Sequence, residues 1–398
     1  MDFGPLGWIV SGCVLGIFTG LAPGIHVNTI ASISTAIAFP DPLGLSLMIA
    51  SLSIVHCFVD LVPGILFGAP EETNFLSAQP GHRLLIKGKG FLAVKLAATG
   101  ALFSGIISLC FAFFFITMLR KGTVLFSKLV PFALVFVITA MVFSENSPKK
   151  KAFAITAILL SGILGIIALS EKSPVENPLF ACITGFFGIA TILESLKKKT
   201  ILPKQETEEA KTGNKSVIEG SALGFIAGAL VAVFPALGAN QAAFILQKFF
   251  GKIKTKKFLV LIGGSSTANV IFGFAGLFAW GKTRNGSAAA VGGLVELSTQ
   301  NLVLLMIACA IALGFGFLAA VWTAKFLVKK IEKINYSKIN IAILFALCGL
   351  SVFLTNFFGI IALVSATGIG LFCAETKIKR THCMAFLMIP ALLFYLGF

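Results

Sequence analysis

Charge is what this chain has least of. Of its 398 residues, 12% are Asp, Glu, Lys or Arg and only 16 are acidic, against about a quarter charged in soluble domains. A soluble fold would have too little polar surface to cover itself. Histidine is as scarce. His26, His56, His82 and His382 are the four there are, and no His-Glu-x-x-His joins any two. The acid clusters that hold magnesium in bilayer phosphatases and prenyl-lipid enzymes are also missing, which argues against an enzyme and against a resident metal or cofactor. The eight cysteines (Cys13, Cys57, Cys110, Cys182, Cys309, Cys348, Cys373, Cys383) lack the paired spacing of metal or redox sites and read as small core residues. Short alternating segments of a membrane barrel do not stand out. Met1-Asp2-Phe3-Gly4-Pro5 has neither the basic region nor the cleavage site of a signal peptide, so the first apolar segment is expected to stay.

Apolar residues fill the space left by charge. They make up 57% of the chain, with 40 Phe and a mean hydropathy of +0.97. Runs near twenty residues recur throughout, and about that many cross the hydrocarbon core as a helix. The composition predicts an all-α polytopic membrane protein with about ten to twelve crossings, some of them broken. The formal charge of +16 sits in short clusters between apolar runs: Lys149 to Lys151, Lys197 to Lys199, Lys252 to Lys257, Lys329 with Lys330, and Lys377 to Arg380. That placement fits the positive-inside rule and contact with anionic headgroups in a plasma membrane. It provides no basic domain that would hold nucleic acid.

One stretch organises the first half. Gly20-Leu21-Ala22-Pro23-Gly24-Ile25-His26-Val27-Asn28-Thr29 interrupts an apolar run with helix breakers and then with capping residues. Backbone groups freed inside a bilayer cost several kcal/mol each unless protein, ligand or water satisfies them, so the stretch reads as a candidate site. The second half repeats it as Pro235-Ala236-Leu237-Gly238-Ala239-Asn240-Gln241, preceded by Gly224 and Gly228 as the first copy is by Gly16 and Gly20. The pattern predicts an internal duplication. Residues 1–200 form one transmembrane repeat, 201–215 a solvated cytoplasmic linker and 216–398 a second repeat, of inverted topology as in duplicated carriers with broken helices.

Further polar positions lie along the chain. Pro40-Asp41-Pro42-Leu43-Gly44 is turn chemistry. His56 and Asp60, four apart, share a helix face, and Pro63-Gly64 reads as a second break. Glu71 and Glu72 follow in a polar excursion, and Ser265, Ser266, Thr267 and Asn269 form a hydroxyl and amide cluster inside an apolar segment.

Broken helices point N-terminal ends at anions and unwound carbonyls at cations. Pro23, Gly24, His26, Asn28, Thr29, Pro235, Asn240, Gln241, Ser265, Ser266, Thr267 and Asn269 are therefore candidate substrate contacts. His56, Asp60, Glu71 and Glu72 are candidate ion-coupling groups for Na+ or H+. Close helix packing is the rival for the breaks and for the small-residue cluster, and a structural pair the rival for His56 with Asp60. Two cargoes fit such a chain: a small anionic solute, or a polyprenyl-phosphate or other lipid with an anionic headgroup.

Beyond these features, the chain resembles the permease, or large membrane subunit, of the tripartite tricarboxylate transporter family in the short form seen in archaea. Gly16 to Ala31 is similar to its glycine-rich segment with a central Pro-Gly. Phe67-Gly68-Ala69-Pro70-Glu71 is similar to its Phe-Gly-x-Pro signature with an acid, and Gln79 to Leu84 with Lys87-Gly88-Lys89-Gly90 to its polar loop. In the second half Pro235-Ala236 replaces a Pro-Gly, and only Asn269 matches the family's later acidic motif. The resemblance implies carboxylate transport by symport, with a periplasmic solute-binding protein and a small membrane subunit as partners.

Overall fold

The computed structural model describes residues 4–21, 41–67, 81, 83–197, 203–206, 214–234, 237–251, 253–281, 283, 285–331 and 336–397. Among them there is no strand. The helices are α1 (Pro5–Leu21), α2 (Pro42–Val59), α3 (Leu61–Phe67), α4 (Gly90–Phe143), α5 (Pro148–Leu169), α6 (Pro178–Ile183), a π-helix (Thr184–Ile189) and α7 (Ala190–Lys197). There follow α8 (Asn214–Val233), α9 (Ala239–Phe250), α10 (Thr255–Trp280), α11 (Gly286–Leu294), α12 (Thr299–Ile331), α13 (Tyr336–Leu354), α14 (Phe357–Glu375), a 3-10 helix (Arg380–Met384) and α15 (Ala385–Leu396). Among the described residues seven helical stretches are long and apolar enough to cross a membrane, and five shorter apolar helices accompany them. The chain is a multi-pass helical membrane protein.

The chain divides into two compact units, and each takes residues from both halves of the sequence. The first holds 1–123, 202–233 and 242–333; the second holds 124–201, 234–241 and 334–398.

In the first unit α1 lies along α2 and the two run in the same direction, because glycines on one face of α1 let the backbones touch. A Cβ on Gly16 would lie 2.8 Å from the Leu52 carbonyl oxygen, and one on Gly20 would lie 3.0 Å from the Asp60 nitrogen. Lipid tails are as apolar as leucine, so helices in a bilayer gain from close van der Waals approach rather than from burial alone. α8 and α10 are joined the same way, with Gly224 against the Leu261 carbonyl at 3.0 Å and Gly228 against the Asn269 nitrogen at 2.9 Å. α9, between them in sequence, packs Ala242, Ala243 and Leu246 on Leu223, Ala227, Leu261 and Ile262. The long helices cross over. α4 of the first half packs on α10 of the second, where Thr267 Oγ1 donates to the Ala101 carbonyl at 2.7 Å. α12 of the second half packs on α2 of the first, with Gly316 against Phe58.

α2 with α3 and, in the second half of the sequence, α10 are the most enclosed spans among the described residues. Asp41 caps α2 by accepting from the Gly44 amide at 2.8 Å, with Pro42 as the first helical residue, where a missing N–H costs nothing. At the expected break, Pro63-Gly64, α2 and α3 run on as one span: Asp60 between them has helical φ −58° and ψ −28°, and Pro63, the third residue of α3, lacks the amide that would bond back to Val59.

The second unit contains the C-terminal part of α4, α5, α6 to α7, α13, α14 and α15. α5 packs on α15 through Gly162 against Ile389 and Gly165 against the Phe386 carbonyl, and α14 packs on the π-helix through Gly185 and Gly370. Two loop pairs close it. The loop after α4 meets the loop after α14, where Glu145 accepts from the Lys379 amide at 3.0 Å. The loop after α5 meets the loop after α13, where Asn356 donates to the Pro174 carbonyl at 2.6 Å and Asn177 to the Leu354 carbonyl at 2.5 Å.

Within the hydrophilic linker Pro203, Lys204 and Glu206 are exposed, and one residue anchors it. Gln205 is buried; its amide oxygen accepts from the Gly90 nitrogen at 3.0 Å and its amide group donates to the Leu85 carbonyl at 3.0 Å. Gln205 thereby satisfies an end of α4 that has no partner within its own helix.

Candidate functional site

The geometry that singles out a site is the register of the two glycine ladders. Gly12, Gly16 and Gly20 face Met48, Leu52 and Asp60; Gly220, Gly224 and Gly228 face Lys257, Leu261 and Asn269. The glycines are displaced by 208 positions in every pair (12 to 220, 16 to 224, 20 to 228). Their partners are displaced by 209 (48 to 257, 52 to 261, 60 to 269). In each half the last glycine before the proline break therefore touches the backbone of a residue with a polar side chain, Asp60 in the first and Asn269 in the second.

Around Asp60 the first half collects a buried polar group. Asp60 ends α2, its amide donating to the His56 carbonyl at 2.9 Å, and its own carbonyl accepts from the Gly64 amide at 3.1 Å. His56 Nδ1 lies 3.0 Å from the Thr19 hydroxyl, one residue before Gly20. Thr19, His56 and Asp60 are 5%, 4% and 2% exposed, so two titratable side chains sit inside a fully enclosed span. Ionisable groups held there are costly and mark function more often than scaffold. Thr19 has no signal in the sequence alone, because only the ladder brings it to His56.

The second-half cluster is used differently. Ser265 and Ser266 donate to the Ile262 carbonyl at 2.8 and 3.4 Å, Thr267 donates to Ala101, and Gly264 sits against Ser104. These hydroxyls bond to main-chain carbonyls at a helix crossing, while Asn269 is half-buried at the end of the ladder. Asn240 and Gln241 are the second and third residues of α9, inside its first turn. Pro23, Gly24, His26, Asn28, Thr29, Glu71, Glu72 and Pro235 lie outside the described residues. Among the described residues no group of three or more His, Cys, Asp or Glu is placed to hold a metal.

The second unit holds a polar network that the sequence did not announce. His382 is fully buried, and its Nε2 donates to Glu145 at 3.0 Å. Burial pushes the Glu145 carboxyl up, but the hydrogen bonds from His382 and the Lys379 amide, with the positive charge of both residues, outweigh it. The net position is below the ordinary carboxylate value. Arg380, also buried, pairs with Glu194 and donates to the Thr191 hydroxyl. These contacts tie the 3-10 helix to α7 and to the loop after α4.

A helical membrane protein with two enclosed, glycine-packed core helices and a carboxylate at the end of one ladder has the architecture of a transport protein. The chain belongs to the tripartite tricarboxylate transporter TctA family, whose model it matches over residues 6–385. It is thus a permease component, from a family that works with a solute-binding protein and a small membrane subunit. An uncharacterized protein of Methanocaldococcus jannaschii is 25% identical over 397 residues, covering 98% of each chain. No solved structure matches the chain.

Proposed function

We propose that the protein is a secondary active transporter that carries a small anionic solute, a carboxylate, across the plasma membrane in symport with H+ or Na+. The observation that carries this reading is the pair of matching ladders, which sets a polar position beside the last glycine of each: Asp60 beside Gly20 and Asn269 beside Gly228. Pro23, Gly24, His26, Asn28 and Thr29 in the first half and Pro235, Asn240 and Gln241 in the second are the proposed anion contacts. Their half-helix N-termini and amide groups suit a carboxylate. Ser265, Ser266, Thr267 and Asn269 would extend the second set. The proposed partners are a solute-binding protein and a small membrane subunit of the same system.

The repeats are proposed to span 1–200 and 216–398, with opposite orientation. The loop pairs of the second unit support this. In each half the last three membrane segments are joined by two loops. The first loop of one triplet, after α4, meets the second loop of the other, after α14, and the converse pair meets on the opposite side. Triplets of equal orientation would pair first loop with first.

Proteoliposomes that contain the chain and its partner subunits, supplied with labelled citrate and short dicarboxylates, provide the test. The reading predicts accumulation driven by an imposed proton or sodium gradient. Flipping of a labelled polyprenyl phosphate without any gradient, and no solute uptake, would assign the chain to lipid translocation instead. Asn28→Ala and Asn240→Ala should each lower uptake by about tenfold, the loss of roughly one charged hydrogen bond, while the protein remains monodisperse. Unchanged uptake in both refutes these contacts.

A further inference from the structure

We infer that the coupling ion is a proton, that Asp60 is the group that takes it up and releases it, and that the second half carries no equivalent. This rests on the carrier reading above and sharpens it. The register of the ladders equates Asp60 with Asn269 and, by the same displacements, His56 with Ser265 and Thr19 with Ala227. The trio Thr19, His56 and Asp60 thus has Ala227, Ser265 and Asn269 as its counterpart. Every titratable member has been replaced by a neutral residue at the same place in the same packing. A duplicated scaffold has kept its geometry and confined its ionisable chemistry to one copy.

The chemistry of the trio favours a proton over a metal cation. Hard cations take several oxygen ligands, whereas the trio offers one carboxylate, one hydroxyl and an imidazole. Asp60 gains an O–H bond when a proton arrives from the acidic side and loses it to the other side, with no other reactant. The group stays in place because α2 is enclosed on all sides. The charged and titratable groups on the described helices packed against α2 are Cys13 of α1, Lys256 and Lys257 in the first turn of α10, and Cys309, Lys325, Lys329 and Lys330 of α12. All five lysines are partly or fully exposed and lie toward helix ends, so the titratable groups nearest to Asp60 along the chain are Cys57 and His56 of its own helix, three and four residues before it. Thr19, bonded to His56, is a positioning residue.

The test compares two modes of the same protein in liposomes with its partner subunits and labelled citrate. Exchange of citrate at equal pH needs no release of the coupled proton; accumulation under an acid-outside gradient does. Asp60→Asn should exchange within about threefold of the parent and lose gradient-driven accumulation at least tenfold. Asp60→Glu should retain accumulation with a shifted pH midpoint, and Thr19→Val should move that midpoint without changing exchange. If Asp60→Asn fails to fold, the infrared stretch of a protonated carboxyl in the parent, titrating with pH and displaced in Asp60→Glu, still reports the group. Accumulation by Asp60→Asn equal to the parent overturns the inference, as does parent accumulation that follows a sodium gradient and ignores pH. A parent that neither exchanges nor accumulates any carboxylate overturns the carrier reading and this inference with it.

Discussion

A single glycine Cβ decides whether two core helices can touch. A Cβ on Gly16 would meet both the Leu52 carbonyl and the Val55 Cβ at 2.8 Å, and neither is a flexible chain end. Gly16→Ala should cost about 1–3 kcal/mol by overpacking and Gly16→Leu should prevent folding, whereas Gly293→Ala, where nothing lies within 4 Å, should be neutral. Thermal unfolding in detergent checks all three. Glu145 gives a pH-dependent prediction. Its carboxyl is depressed below the ordinary value of 4.5 when folded, so it contributes stability that is present above that value and is lost as pH falls through its folded value. Glu145→Gln should therefore lower the melting temperature at pH 7 by the equivalent of about 1–3 kcal/mol. The gap to the parent should narrow as pH falls below 4.5. A gap that widens as pH falls contradicts the assignment. At this scale the sequence was legible where composition speaks locally: His56 and Asp60 stand out as ionisable residues four apart. Thr19 does not, because its role depends on a partner 37 residues away.

Elements were legible where helix signals are local and strong. The spans near 152–169, 178–196 and 301–328 correspond to helical stretches with similar limits, whereas those near 91–118 and 124–143 run together as the single helix α4, and the restart near Asn240 falls in the first turn of α9. Around Pro63 the proline–glycine pair looks like a full break, yet it removes only one bond of the ladder, because Asp60 keeps helical dihedrals and α2 and α3 run on as one span. In the linker, Pro203, Lys204 and Glu206 are exposed, as its polarity suggests, while Gln205 is buried against the turn formed by Lys87-Gly88-Lys89-Gly90. Gly88 has φ +75°, and a Cβ there would sit 2.7 Å from the Lys204 carbonyl oxygen. Gly88→Ala should cost about 1–2 kcal/mol and Gln205→Ala about 1–3 kcal/mol for two buried groups left unsatisfied. Protease cleavage after Lys204, faster in both variants than in the parent, is the expected readout.

Across the whole molecule, the two halves of the sequence are interleaved, since both compact units draw on both. No local pattern carries that information; it comes from which long helix packs on which core helix. The basic residues Lys149 to Lys151, Lys377 and Lys379 flank one loop pair of the second unit, which the positive-inside rule places in the cytoplasm. In a version without native cysteines, Asn146→Cys and Lys377→Cys should label from the cytoplasmic side only and Glu171→Cys from the other only. The opposite orientation of the two triplets fails if Asn146→Cys and Lys377→Cys label from different sides. The central claim, that this chain moves a carboxylate through a site open to one side at a time, is tested most directly by counterflow. Liposomes carrying the chain and its partner subunits are loaded with unlabelled citrate and diluted into a trace of labelled citrate, with no ion gradient. A carrier predicts a transient rise of labelled citrate above its outside concentration, followed by decay. Monotonic equilibration at the rate of liposomes lacking the chain would contradict it.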